Sequence, residues 1–234
     1  MMGARVCLID VDFGLNNLDV VMGVEDRVVY DILDVLDGRC RIKQALVQDK
    51  NFKNLYVLSS NSIKSSTNLT GQNVKLLISS LSGIFDFILL DCPAGIDVGF
   101  LRAVSSADEA LVIATPHVSS LRDADKVISI LRSYKLDNIK LILNRTRGDL
   151  ILTNEMLSPQ DIEKILKTEL IGILPEEDSV FLSVGLGINK KSSAGKAFKI
   201  LANNVHNNTN KLYDTTSKYS GFVGSIRRSL KRSI

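Results

Sequence analysis

Apolar residues come in short blocks along this chain. Val6–Asp10, Leu55–Ser59, Phe87–Asp91, Ala110–Thr115, Ile139–Asn144 and Leu170–Leu174 are strand-sized runs, most of them closed by a polar residue. They are apolar almost throughout rather than at every second position, the pattern of strands covered on both faces of a parallel sheet. Between them the apolar spacing changes to three and four. Val74–Leu81 and Ala124–Tyr134 read as helices, and Ser158–Lys167 opens with an N-cap serine followed by proline at the first helical position. Strand alternating with helix predicts an α/β fold, doubly wound around a mostly parallel sheet. No internal repeat interrupts the order. Asn203–Ser220, rich in Asn, Thr and Ser, reads as the end of the last helix running into a flexible connector.

Ligands bind such sheets at the carboxyl ends of the strands. The residues to inspect are therefore those that close the apolar runs: Asp10 and Asp12, Asp91, Thr115, Asn144, and the Pro175–Glu176–Glu177 turn. Asp10 and Asp12 fall on one side of an extended segment. Such a pair could hold a hydrated magnesium ion or orient a water; it could equally be a solvated strand end entering a turn at Asp12–Gly14. Phe87–Asp91 ends in an aspartate and runs into Cys92-Pro93-Ala94-Gly95. This is the pattern of a Walker B strand, whose acid contacts Mg²⁺. Asn144-Arg145, on the residues alone, is a polar strand end, and His117 a solvated one. Ser120 and Asp123 fit an S-x-x-D capping box, which would place Arg122, Asp123 and Asp125 in the first turns of an exposed helix.

Composition narrows the field. The 234 residues are 45% hydrophobic and 24% charged, enough for one large domain. No apolar run approaches the roughly 18 residues of a membrane span. Met1–Val6 has no signal or transit character. Cys7, Cys40 and Cys92 are far apart, which gives neither a disulfide framework nor a metal cluster and points to a reducing compartment. The net charge is +3, and Arg227, Arg228, Lys231 and Arg232 lie in the last eight residues; without them the rest is one unit negative. A near-neutral body with a basic tail argues against nucleic acid as the partner and for an anionic surface touched by the tail. In Gly221–Ile234, successive residues turn by about 100°, which gathers Phe222, Val223, Ile226, Leu230 and Ile234 on one face and the four basic residues on the other. Such a helix lies in a membrane interface and is too short to be stable in water. The alternatives are a disordered basic terminus and a tail packed on the body.

Taken together, these stretches are specific. Asp10-Val-Asp-Phe-Gly-Leu-Asn-Asn-Leu-Asp19, Val20-Val-Met-Gly23 and Arg27-Val-Val-Tyr-Asp31 resemble the switch region of the MinD septum-site-determining ATPases, within the ParA/MinD group. Gln44-Ala-Leu46, Asp49-Lys50, Asp91-Cys-Pro-Ala-Gly-Ile96, Ser119–Lys126, Asn144-Arg145, Met156-Leu-Ser158 and Ala194-Gly-Lys-Ala-Phe198 follow in the family's order. The resemblance runs from about residue 4 to the end. It implies an ATPase using ATP and Mg²⁺. Asp12 would orient the attacking water, Asp10 would lie near magnesium and Asp91 would be the Walker B acid. Asn144 would read the adenine edge, with Arg145, Pro175 and Glu176 nearby. It also implies a homodimer and, on the face of Arg122, Asp123 and Asp125, MinC-like and MinE-like partners. Phe222, Val223, Ile226, Arg227, Arg228, Leu230, Lys231 and Arg232 would meet the membrane. The division would be 1–213 ATPase domain, 214–220 linker and 221–234 membrane-targeting helix. The protein would be peripheral on the inner face of a membrane, in cytoplasm or plastid stroma.

One family feature is not in this sequence. MinD-type ATPases open with a strand, a KGGxGKT loop and a helix. Gly195-Lys196 is the lone Gly-Lys pair here, and it matches the family's late helix. The resemblance therefore implies a P-loop NTPase-like sheet lacking its first strand–loop–helix unit, two exposed apolar strand edges, and weak ATP binding with negligible turnover. The alternative functions are a non-catalytic membrane adaptor that keeps the partner face and the tail, and a ParA-like partitioning protein. The near-neutral body counts against the latter.

Overall fold

A computed structural model describes residues 2–13, 16–60, 69–93, 95–96, 98–183 and 187–232. The chain divides into two compact units, residues 1–108 and 109–234.

The first unit contains β1 (Val6–Asp10), α1 (Leu18–Met22), α2 (Ile32–Leu36), α3 (Ile42–Ala45), β2 (Val47–Gln48), β3 (Leu55–Leu58), α4 (Gly71–Leu81), β4 (Phe87–Asp91) and α5 (Val98–Val104). Its sheet runs β2-β3-β1-β4. β1 pairs in parallel with both β3 and β4, and β2 adds antiparallel to β3. Burial explains the order. Cys7 and Ile9 of β1 are wholly buried, in one core with Leu58, Val74, Leu81 and Phe85. Burial also pushes the Cys7 thiol up to about 12, so it is an inert core side chain. The helix starts are set locally. Asp31 accepts from the Leu33 and Asp34 amides while Asp34 reaches back to the Asp31 amide, a full capping box. Thr70 caps α4.

The second unit contains β5 (Ala110–Ala114), α6 (Val118–Ser133), β6 (Ile139–Thr146), α7 (Gly148–Leu152), α8 (Pro159–Leu166), β7 (Glu169–Pro175), α9 (Asp178–Phe181), α10 (Ser193–Asn207) and α11 (Gly221–Arg232). Its sheet is all parallel, β5-β6-β7. Ser158 accepts from the Asp161 amide with Pro159 inside the first turn, as the sequence predicts.

β4 and β5 each end their sheet with apolar side chains in the open. Leu89 is 42% exposed and Ile113 64% exposed. A charged residue, proline or bulge normally blunts such an edge.

Two expectations need correction. α6 starts at Val118 behind His117, so Ser120 lies inside the first turn and its hydroxyl accepts from the Thr115 amide instead of forming a capping box with Asp123. The stretch expected to be a flexible connector is pinned. Residues 203–207 belong to α10, and the Asn204 side chain donates to the carbonyls of Ile171 and Lys211. Thr215 and Tyr219 are buried. Gly148 packs so closely on Thr215 that a Cβ there would lie 1.9 Å from its carbonyl oxygen.

Candidate functional site

The acids of the first unit meet at neighbouring strand ends. Asp10 on β1 and Asp91 on β4 are register partners, and the Val11 amide extends the ladder to the Asp91 carbonyl at 3.0 Å. Asp10 is 2% exposed. Its carboxylate accepts from the Asp12 amide at 2.9 Å and from the Asn17 and Leu18 amides at 3.2 Å each. It thereby ties the segment after β1 to the start of α1. Burial raises its pKa against the pull of these three bonds, and Asp12 adds repulsion. The Asp91 pKa is raised too, first by desolvation and then by the charges of Asp10 and Asp12. The turn expected at Asp12–Gly14 reaches outside the described residues.

Ser59 and Ser60 follow β3 and join this cluster, although no motif marks them. Both are buried; Ser59 donates to Asp19 at 3.2 Å and Ser60 to the Asp12 carbonyl at 3.1 Å. The signal was available, since Ser-Ser closes an apolar run just as the aspartates do. Among the described residues no three His, Cys, Asp or Glu side chains gather closely enough to hold a metal ion. Asp10 and Asp91 could supply two oxygen ligands, which suffices for a hydrated Mg²⁺ that takes its remaining ligands from water and phosphate.

The second unit gathers Asn144, Arg145, Pro175 and Glu176 at the ends of β6 and β7. The pairing slips between Leu143 and Thr146, and Arg145 takes φ 54, left-handed backbone inside a strand. This costs a non-glycine residue about 1 kcal/mol or more. The side chains hold it there. Asn144 Oδ1 accepts from the Arg145 amide at 2.9 Å, and the Arg145 guanidinium donates twice to Glu176 Oε1, at 3.1 and 2.8 Å. The Glu176 amide donates to the Thr146 carbonyl at 3.2 Å. Thr146 is buried and its hydroxyl has no partner among the described residues. Arg147 forms a two-pronged ion pair with buried Asp149, which raises the guanidinium pKa. Glu177 accepts from the Ala194 amide at 2.7 Å, in the first turn of α10. Arg147, Glu176, Glu177, Asp178 and Lys218 line a cavity of about 300 Å³.

Arg122, Asp123 and Asp125 are exposed on α6, with Asp123 3.7 Å from Lys126. On α11, Phe222, Val223 and Ile226 are exposed. The side chains of Arg227, Leu230, Lys231 and Arg232 lie outside what the structure describes. Arg228 was expected to face lipid; it is half-buried and its guanidinium donates to the Tyr219 carbonyl at 2.8 Å. No helix among the described residues is long and apolar enough to cross a membrane.

A mostly parallel α/β architecture with acids at neighbouring strand ends defines the P-loop NTPase-like class. The family profile described as an AAA domain matches residues 1–144. A septum site-determining MinD protein of Chlorella vulgaris is 42% identical over 97% of this chain and 82% of its own length. The MinD chain of a MinC:MinD cell division complex from Aquifex aeolicus superposes with a TM-score of 0.79 at 41% identity, covering 89% of this chain and 86% of that one. MinD of Pyrococcus horikoshii, solved with Mg-ADP, superposes with a TM-score of 0.74 at 29% identity over 87% of this chain and 84% of that one. The chain belongs to the MinD family of septum site-determining proteins, in the ParA/MinD group.

Proposed function

We propose that the chain serves septum placement as a MinD-type, nucleotide-responsive protein attached to a membrane by its tail. The Asp10–Asp91 pair carries this reading. Two carboxylates set side by side at strand ends, each raised in pKa by burial and by its acidic neighbours, call for a cation. Their hard oxygens suit Mg²⁺. When bound, the ion would neutralise phosphate charge. Asp91 is exposed at the end of β4 and is the freer ligand. Asp10 spends three acceptor positions on the backbone, so its second task is to fix the segment carrying Asp12. We assign Asp12 to orient the attacking water.

In the second unit, Asn144 is assigned to the adenine edge. Its Oδ1 is occupied by the Arg145 amide, which leaves its NH₂ to donate. Arg145, Pro175 and Glu176 form the rim. Mg-ADP in the Pyrococcus horikoshii relative supports a nucleotide, and the MinC:MinD complex of Aquifex aeolicus supports a MinC-like partner. We place MinC-like and MinE-like partners on the α6 face of Arg122, Asp123 and Asp125. A homodimer would double the weak hold of one tail on anionic lipid. Attachment is thus peripheral, on the cytoplasmic or stromal face.

The second reading is a membrane adaptor that keeps the partner face and the tail. A triphosphate bound to these 234 residues alone would lack the cradle of backbone N–H groups that a KGGxGKT loop supplies. Titration calorimetry of the 234-residue chain with Mg-ATP decides. We expect binding weaker than about 1 mM and no measurable hydrolysis; micromolar affinity would show the phosphate site to be intact. Deleting residues 222–234 should abolish sedimentation with phosphatidylglycerol vesicles, and unchanged sedimentation would remove the tail from the membrane role.

A further inference from the structure

We propose that α11 is a seated helix rather than a tethered one, with Tyr219 as the seat and Gly224 and Arg228 as the residues that dock it. The inference rests on the lipid reading of the tail and deepens it. Tyr219, in a 3₁₀ turn over Ser217–Tyr219, is buried. Gly224 lies against its backbone: a Cβ added there would sit 2.2 Å from the Tyr219 carbonyl carbon and 2.4 Å from its oxygen. One turn further on, Arg228 donates to that same carbonyl. Residues four apart share a helix face, so Gly224 and Arg228 form a docking stripe. At about 100° per residue, Phe222 and Ile226 fall on the opposite side, and both are exposed there, with Val223 beside them.

The helix therefore turns its apolar stripe away from the protein. An amphipathic helix held only by burial would do the reverse. Its seat is built from glycine, backbone and one guanidinium, and this leaves the apolar stripe for another phase. Arg227, Lys231 and Arg232, the other basic residues of the tail, match that phase to an anionic lipid surface. The seat is itself braced. Asp214 accepts from the Thr216 and Ser217 amides, and Thr215 is packed against Gly148. No slack separates α10 from α11, so lipid engaged by Phe222, Val223 and Ile226 holds the second unit at a fixed angle to the bilayer.

Hydrogen exchange of the α11 amides in the full chain, free in solution, tests the seat. An undocked helix of 12 residues is marginal in water. We expect protection in the unmodified protein and a loss of at least about tenfold in both Gly224→Ala and Arg228→Gln. The alanine variant separates docking from local helix stability, because alanine raises helix propensity. Equal or greater protection in Gly224→Ala, or no protection in the unmodified chain, would overturn the seat. Gly224→Ala should still sediment with phosphatidylglycerol vesicles to within about threefold, whereas Phe222→Asp should not. Retained binding by Phe222→Asp would refute the lipid reading alone, since the exchange result stands apart from it.

Discussion

The two strand-end sites handle charge in opposite ways. In the first unit burial raises the pKa values of Asp10 and Asp91, and acidic neighbours add to it: Asp12 at Asp10, and both Asp10 and Asp12 at Asp91. In the second unit charges of opposite sign are matched: Arg145 with Glu176, Arg147 with Asp149. The second site is preorganised, and even holds Arg145 in a strained conformation. The first holds an electrostatic debt that a cation would discharge. Within each unit the charge pattern is self-contained: ion pairs hold the strand ends of the second, while like charges gather at those of the first.

The contrast can be broken most severely at Arg147. Arg147→Met leaves the buried Asp149 without its guanidinium, and urea unfolding should show a loss of about 3–5 kcal/mol. Gly148→Ala forces a Cβ onto the Thr215 backbone and should cost about 1–3 kcal/mol. In the first unit the sign reverses. Asp91→Asn relieves repulsion and should raise the midpoint of unfolding slightly, by about 0.5 kcal/mol, in metal-free buffer. The same variant should lose any stabilisation that Mg²⁺ gives the parent protein.

The smallest and sharpest test is pH. Asp10 and Asp91 have raised folded pKa values, so the native state holds their protons more tightly than the unfolded chain does. Their contribution favours the native state at low pH and is lost as pH rises from the ordinary carboxylate pKa through the raised values. Asp214 is lowered, first by its hydrogen bond with the Thr216 hydroxyl. Its stabilisation is present above the ordinary carboxylate pKa and is lost as pH falls through the depressed one. Melting curves between about pH 3 and pH 7 for Asp91→Asn and Asp214→Asn should therefore depart from the parent protein in opposite directions. Departures of the same sign would contradict the contrast.

Much of this was legible in the residues alone, because the signals were local. β1 and β4 fall where the apolar runs put them, at Val6–Asp10 and Phe87–Asp91, and their closing aspartates are register partners. Ser158-Pro159 announced α8. A continuous apolar run or a cap is written in neighbouring residues, and these elements answer to nothing further away. The two-residue strand β2 and the short helices α1 to α3 carry too few residues for a period to register; they exist because β3 and the core of the first unit hold them.

Other features depended on distant partners. The left-handed turn at Arg145 needs Glu176, 31 residues away. The ordered path from Asn204 to Tyr219 needs the Ile171 carbonyl and the missing side chain of Gly148. Arg228, basic and in an amphipathic frame, had every local reason to point at lipid; the Tyr219 carbonyl turned it inward. By itself the sequence determined where strands end and which charges close them, since hydrophobic period and capping act over a few residues. Tertiary structure decided which of those charges are satisfied and which way the tail faces, since both depend on groups that only the folded chain brings within hydrogen-bonding distance.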